Sequence, residues 1–201
     1  LMTTRPAISG EVLETVTEAL LTDQQCNLDY QARSWPEPET IRVHPYGLIF
    51  RDPNVYLICT IEGREGIRQL VLHRATGSEL INEPLERPAD FDLDKYIYSG
   101  AMGQLYSHEP IYLRLRCDKP FMTHLLESPM GLDQIVENHS EGSFDVRVTV
   151  GDTQDLRWWL VAQSSHLDIL EPAYLRDVVA ASLEAGLKRQ REATAISSSS
   201  A

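Results

Sequence analysis

Three stretches in the first half of the chain alternate apolar and polar residues in the manner of β-strands. They are residues 42–51, 55–60 and 67–74, and turns rich in Asp, Pro, Asn and Gly separate them. A period of two places successive side chains on opposite faces of a strand. The pattern therefore predicts three consecutive strands, and residues 25–31 and 78–81 add a first and a fifth strand.

The connections between these strands are short, and Pro36 and Pro38 keep the segment after the first strand out of a ladder. Short strands with tight turns favour a closed barrel, because closure removes unpaired edges. The sequence therefore predicts a small Sm/SH3-like β-barrel over residues 22–96. Residues 1–21 lead into it, and helical spacing predicts a helix for which Ser9 is the expected N-cap.

A different pattern follows a segment rich in Pro, Asp and Glu. Residues 97–110 have no clear period and predict a linker with a hinge at Gly100 and Gly103. Residues 111–189 predict strand, helix, strand, strand, helix, strand and a terminal helix, and the first six elements have the order of a ferredoxin-like βαββαβ domain. Residues 190–201 predict a disordered tail, because they lack an apolar period. The predicted fold class is therefore α+β.

Composition is that of an ordinary globular protein, with 42% hydrophobic and 24% charged residues among 201. The chain has no apolar run long enough to span a membrane and no signal peptide pattern at its start. Its cysteines, Cys26, Cys59 and Cys117, are scattered, which predicts reduced and buried thiols. We therefore expect a cytoplasmic protein.

Charge is distributed unevenly. The chain has a net charge of −12, yet residues 41–74 carry five arginines against three acidic residues and have a net charge of about +2. An acidic protein is poorly suited to coat duplex DNA, which requires a broad basic surface. A cationic face on an anionic body instead offers one place for a phosphate or a carboxylate.

Sequence motifs for catalysis are missing. The chain contains no GxSxG, HExxH, Walker loop or GxGxxG motif, and no paired metal-ligand spacing. Its six histidines are dispersed, and no carboxylate or nucleophile is placed beside them in a way that indicates acid–base chemistry. We therefore expect a protein that is not an enzyme and that uses no catalytic residue, metal or cofactor.

The predicted strands do carry residues suited to a small anionic ligand that contains a nucleotide. Arginine guanidinium groups match phosphate geometry, imidazole adds a donor, and tyrosine rings can stack on a base. The alternative is a solvated face whose arginines pair with Asp52, Glu62 and Glu65. The candidate ligand-binding residues are Tyr30, Arg42, His44, Tyr46, Arg51, Tyr56, Arg68, His73 and Arg74.

These residues also carry a family resemblance. Residues 42–51 contain Arg-x-His-Pro-Tyr-Gly-Leu-x-x-Arg, a Tyr-Leu pair stands at 56–57, and residues 67–74 contain Ile-Arg-x-x-x-Leu-His-Arg. This combination resembles the WYL domain of bacterial transcriptional regulators, although Val55 occupies the position of the Trp that names the family. Residues 91–96 are similar to the family's segment after the barrel. Residues 111–185 resemble its C-terminal extension.

The resemblance implies a regulatory, ligand-sensing module that binds a nucleic-acid or nucleotide effector on the basic barrel face and couples it to the arrangement of a homodimer. In the family a winged-helix domain precedes this point, and the eight residues before the first helix leave no room for it. Duplex DNA would then be contacted only through a separate domain that is absent here. The alternative is a protein-interaction or dimerisation module, or an anti-activator, without an effector of its own. The apolar stripe over residues 175–187 would serve either function as a dimer interface.

Overall fold

The structure, a computed structural model, describes residues 4–51 and 53–198. The chain divides into two compact units, one that ends at Leu93 and one that begins at Asp94. Each unit is built around its own antiparallel sheet and its own apolar core. The predicted α+β class is therefore confirmed.

The first unit consists of one helix packed on a five-stranded sheet with the order β4-β3-β2-β1-β5. All of its strand pairs are antiparallel. A bulge interrupts the pairing of β2 with β3 between Pro45 and Gly47, next to the proline that lacks an N–H. The elements are α1 (Gly10–Leu21), β1 (Gln24–Tyr30), β2 (Glu39–Arg51), β3 (Asn54–Ile61), β4 (Arg64–Val71), a 3₁₀ turn (Leu72–Arg74) and β5 (Ala75–Pro84).

Helix α1 covers one face of this sheet. Its Val12, Val16 and Ala19 recur at helical spacing, and each is fully buried. They pack against alternate residues of the strands, as a period of two requires. Ser9 precedes α1 as predicted, but its side chain makes no capping hydrogen bond. The sheet residues of this core are Cys26, Leu28, Tyr30, Ile41, Val43, Leu57, Cys59, Ile61, Leu70 and Ala75.

The predicted closed barrel is not found. Within the described residues β4 pairs only with β3 and β5 only with β1, so both are edge strands. The strand predicted over residues 67–74 ends at Val71, and the 3₁₀ turn Leu72–Arg74 separates it from β5. This turn interrupts the ladder that would join the two edges. Arg64 and Arg68 lie on β4, and charged side chains on an edge strand oppose pairing with other chains.

The second unit has a four-stranded antiparallel sheet with the order β7-β8-β6-β9. Between β6 and β7 the chain forms only a four-residue helix and a 3₁₀ turn, where a βαββαβ domain has a full helix. The ferredoxin-like arrangement therefore stays a prediction. The elements are α2 (Leu93–Tyr98), β6 (Ile111–Asp118), α3 (Lys119–Met122), a 3₁₀ turn (Thr123–Leu126), β7 (Ile135–Asn138), β8 (Ser143–Val150), α4 (Gln154–Gln163), β9 (Leu167–Glu171) and α5 (Ala173–Ser198).

The segment predicted to be a hinge is attached to the second unit. The Tyr106 N–H donates to the Asp152 carbonyl at 2.8 Å, and the Gln154 N–H donates to the Gln104 carbonyl at 2.9 Å. Gly100 has a φ of +84°, and a side chain there would collide with the Thr153 side chain. Its glycine is therefore explained by a tight turn and close packing.

Helix α5 continues to Ser198, through most of the segment predicted to be disordered, and residues 199–201 lie outside the described residues. Residues 187–193 are rich in Lys, Arg, Gln, Glu and Ala, which all favour helix. Lys188 and Glu192 also form an ion pair of 4.0 Å one turn apart. None of the described helices combines the length and the apolar character needed to cross a membrane.

The three cysteines are free and buried, as predicted. Burial raises the pKa of the Cys26 and Cys117 thiols to about 12 and raises that of Cys59 as well. The thiols are therefore protonated and unreactive at neutral pH.

Candidate ligand-binding groove

Two aromatic side chains form one wall of a groove at the margin of the first sheet. Tyr30, the last residue of β1, is only 2% exposed, and its ring meets Trp35 edge to face with centroids 5.9 Å apart. The Tyr30 hydroxyl accepts the Val71 N–H at 3.1 Å. Burial raises the pKa of Tyr30, so the hydroxyl stays protonated. Tyr30 thereby links β1 to the end of β4 and supports Trp35.

Four arginines line the groove beside this wall. Arg33 comes from the turn after β1, Arg64 and Arg68 from β4, and Arg74 from the 3₁₀ turn. Arg68 is opposite Cys59 in the ladder and has the same parity as the buried Leu70. It therefore projects on the core side of the sheet, at its open margin. This larger lobe has a volume of about 440 Å³ and is lined by Tyr30, Ala32, Arg33, Ser34, Trp35, Ile61, Arg64, Arg68, Gln69, Leu70 and Arg74.

A smaller lobe of about 370 Å³ adjoins the first. Both lobes are bordered by Arg33, Trp35 and Arg74, and the smaller one adds Gln31, Pro38 and Thr76. No Asp or Glu side chain is among the described residues that line either lobe. The two lobes together are called the arginine groove below. Its lining is cationic in a chain whose net charge is −12.

One of the four arginines, Arg64, is paired with a carboxylate. An Arg64 amino group lies 2.7 Å from a carboxylate oxygen of Glu39, the first residue of β2. The Arg64 guanidinium also lies over the Trp35 ring, 4.6 Å from its centroid. Arg68 donates to the main-chain carbonyl of Glu65 at 2.9 Å.

The structure brings three of the nine predicted ligand residues into the groove, namely Tyr30, Arg68 and Arg74. The other six lie elsewhere in the first unit. Whether any of the nine binds a ligand stays a prediction.

Arg42, His44 and Tyr46 lie on the opposite face of the sheet, which residues 84–93 cover. We call this segment the strap. His44 Nδ1 accepts the Glu86 N–H at 2.9 Å, and the Tyr46 hydroxyl donates to the Glu86 carbonyl at 2.7 Å. These side chains therefore hold the main chain of the strap.

Further contacts complete the attachment of the strap. The Tyr46 hydroxyl lies 2.7 Å from the Thr60 hydroxyl, and its ring packs on Phe91 with centroids 5.0 Å apart. The Arg87 guanidinium lies 5.6 Å from the centre of the Tyr46 ring. Burial raises the pKa of Tyr46.

Arg42 forms ion pairs with Glu62 at 3.7 Å and with Glu83 at 3.5 Å. Arg42 therefore agrees with the alternative interpretation from the sequence, a solvated face whose arginines pair with acidic residues that include Glu62. Its carboxylate partners oppose the binding of a further anion.

The remaining predicted residues are dispersed. Arg51 borders a separate recess of about 140 Å³ with Arg5 and Asn54. The Tyr56 hydroxyl accepts from the Asn54 side-chain amide at 3.5 Å. His73 lies in the 3₁₀ turn, and its buried Nδ1 has no hydrogen-bond partner among the described residues.

The ligand-binding residues predicted from the sequence did not include Arg33, Trp35 or Arg64, because all three lie in or beside predicted turns. A signal was present, since Arg33 and Trp35 stand two residues apart directly after the strand that ends in Tyr30. Within residues 4–51 and 53–198, no group of three or more His, Cys, Asp or Glu side chains is placed to hold a metal ion.

Comparison with protein families places the groove in a known domain. Residues 11–80 match the WYL domain, and residues 109–187 match the WCX domain. The chain therefore belongs to the family of proteins that carry a WYL domain, here followed by a WCX domain. Every residue that lines the arginine groove lies inside the WYL match.

Solved structures that match this chain include proteasome accessory factor B/C (PafBC) of Arthrobacter aurescens, at 22% identity and a TM-score of 0.44 over 88% of this chain. A CRISPR Cas-related protein matches 90% of this chain at 14% identity and a TM-score of 0.46. The chain spans 27% of the first protein and 52% of the second. No curated protein matches the chain.

Proposed function

We propose that this chain is the regulatory, effector-sensing part of a bacterial transcriptional regulator. In this proposal the arginine groove binds a short single-stranded nucleic acid or a nucleotide. The observation that carries it is the convergence of four arginines and two aromatic rings on one groove, with no acidic side chain among the described residues of its lining. WYL domains occur in bacterial transcriptional regulators, so the WYL match supports the proposal that this chain has a regulatory function.

Chemistry favours an effector that combines phosphates with bases. Arginine forks bind phosphate oxygens in pairs, and sequence-tolerant stacking on aromatic rings holds unpaired bases. The lobe volumes, 440 and 370 Å³, lie within the range of about 300–1,000 Å³ that small-ligand sites have. The surrounding negative charge disfavours a long duplex, whose many phosphates would lie outside the groove.

Regulation requires that the effector prefer one conformation of the regulator over another. The groove lies where β1, β4 and the 3₁₀ turn meet, and the Tyr30 hydroxyl joins β1 to Val71. A ligand that contacts Arg33 after β1 and Arg68 on β4 therefore bridges both sides of this junction. We propose that ligand binding at this junction is coupled to the arrangement of a homodimer.

The first test is fluorescence anisotropy of a labelled pentathymidylate, with a duplex of the same length as the competing probe. The Arg68→Ala/Arg74→Ala variant removes two groove arginines, and Arg42→Ala is the matched control because that arginine lies outside the groove. We expect saturable single-strand binding that the double variant weakens at least tenfold and the control leaves unchanged. Equal affinity of all three proteins for the single strand would contradict the proposal.

A second candidate function is a protein-interaction module without an effector. It is supported by α5, on which Leu183 and Leu187 are 43% and 52% exposed beyond the last buried residue, Val179. Sedimentation of Leu183→Asp, with Ser182→Asp as control, tests this surface. A dimer that only Leu183→Asp dissociates, in a protein that binds no oligonucleotide, would favour this second function.

A further inference from the structure

One face of the Trp35 ring is covered by an arginine side chain. The Arg64 guanidinium lies 4.6 Å from the ring centroid on one face, and the Tyr30 ring meets Trp35 at an interplanar angle of 82°. A planar group can stack on an indole only where a face is free. The face under the Arg64 guanidinium is therefore closed to a base while Arg64 remains in place.

The position of Arg64 over Trp35 is stabilised by an ion pair with the Glu39 carboxylate. Glu39 lies 2.7 Å from it, and the two side chains are 50% and 38% exposed. Exposed ion pairs of this kind contribute little to stability and are screened by salt. Glu39 can therefore return to water at low cost, and Arg64 can exchange this carboxylate for another anion.

We infer that Arg64, held by Glu39, is a removable cap on Trp35, and that the uncapped ring stacks a planar ring of the effector while Arg64 turns to the effector's phosphate. This inference rests on the proposed function of the groove. It identifies Trp35 as a stacking site and Glu39 as an internal competitor of the phosphate for Arg64.

The cap makes recognition depend on two chemical features at once. A simple anion can displace Glu39 from Arg64, but it gains nothing from the exposed indole. A neutral aromatic compound can stack on the indole, but it provides no replacement for the carboxylate on Arg64. A nucleotide unit provides both features, so the cap favours it over phosphate alone and over a free base.

The cap can be measured without any ligand. In a Trp158→Phe/Trp159→Phe background Trp35 is the only tryptophan of the chain, and acrylamide quenching of its fluorescence reports its accessibility. We expect Arg64→Ala to raise the quenching constant at least twofold and Glu39→Gln to raise it by a smaller amount. Glu37→Gln, a matched change two residues before Glu39, should have no effect. Unchanged quenching in Arg64→Ala would overturn the cap.

Stacking is tested with two probes that carry the same number of phosphates, pentathymidylate and an abasic pentamer. Removal of Arg64 deletes one phosphate contact for both probes, but only the probe with bases can stack on the uncovered Trp35 ring. We therefore expect the affinity ratio of pentathymidylate to the abasic probe to rise at least fivefold in Arg64→Ala and to fall in Trp35→Leu.

The two proposals fail in different ways. Binding of both probes with a ratio that Arg64→Ala leaves unchanged would overturn the cap and retain the groove as an effector site. Binding of neither probe to any of the proteins would overturn the proposed function and this inference with it.

Discussion

Attachment of the strap gives a sharp prediction, because one hydroxyl makes two of its contacts. Tyr46→Phe removes the 2.7 Å contacts with the Thr60 hydroxyl and the Glu86 carbonyl while it keeps the ring that packs on Phe91. Tyr46 is 5% exposed, so the Thr60 hydroxyl would lose its partner in a poorly hydrated place. Each lost hydrogen bond costs about 0.5–1.5 kcal/mol. Glu86 is an exposed residue, so its carbonyl can regain a water partner. We expect a loss of about 1–2 kcal/mol in the free energy of unfolding.

The assay must follow the first unit alone, because a chain of two units need not unfold in one step. Trp35 fluorescence in the Trp158→Phe/Trp159→Phe background provides that signal during urea denaturation. Tyr112→Phe, which removes a hydroxyl from a half-exposed tyrosine of the second unit, is the control. A loss for Tyr46→Phe no larger than that of the control would refute the structural role of this hydroxyl.

Two further predictions concern the cores of the units. Leu57→Ala empties a fully buried position in the first unit and should cost about 2–5 kcal/mol in urea denaturation, whereas Leu21→Ala, at a residue that is 81% exposed, should cost little. In the second unit, hydrogen bonds from Arg116 and Arg114 lower the pKa of Asp145. A lowered folded-state pKa stabilises the fold at neutral pH, and this stabilisation is lost as the pH falls through that pKa. Asp145→Asn should therefore lower stability at pH 7 by on the order of 1 kcal/mol and reduce the loss on acidification below about pH 4. The surface change Asp177→Asn should do neither, and an unaltered acid profile in Asp145→Asn would contradict the role of these hydrogen bonds.

Local pattern was sufficient to predict most elements of this chain. Alternation predicted the strands of the first sheet, and helical spacing predicted a helix between the third and fourth strands of the second unit, where α4 lies. Alternation and helical spacing depend only on residues that are close in the sequence, so they can be read from the sequence alone. The strand predicted over residues 67–74 was wrong in its last three residues, which form a 3₁₀ turn. A turn of three residues shows no distinct period in the sequence.

The candidate site was less accessible to sequence reasoning for a related reason. Parity correctly indicates that Arg42 and His44 share a face of β2, but it cannot show that the Glu86 main chain occupies that face from 42 residues away. The groove likewise joins the end of β1 to β4 through contacts such as that of Tyr30 with Val71. The set of arginines that converge therefore depends on long-range packing. Arg33 and Arg64 were identified as groove residues only from the folded structure.

The salt dependence of single-strand binding tests the central claim most directly. For single strands the logarithm of the affinity falls with the logarithm of salt concentration with a slope of about −0.7 per phosphate contact. Loss of two groove arginines in Arg68→Ala/Arg74→Ala should therefore make the slope for pentathymidylate less steep by about 1.4, while Arg42→Ala keeps the wild-type slope. An identical slope in all three proteins would contradict phosphate recognition by the arginine groove.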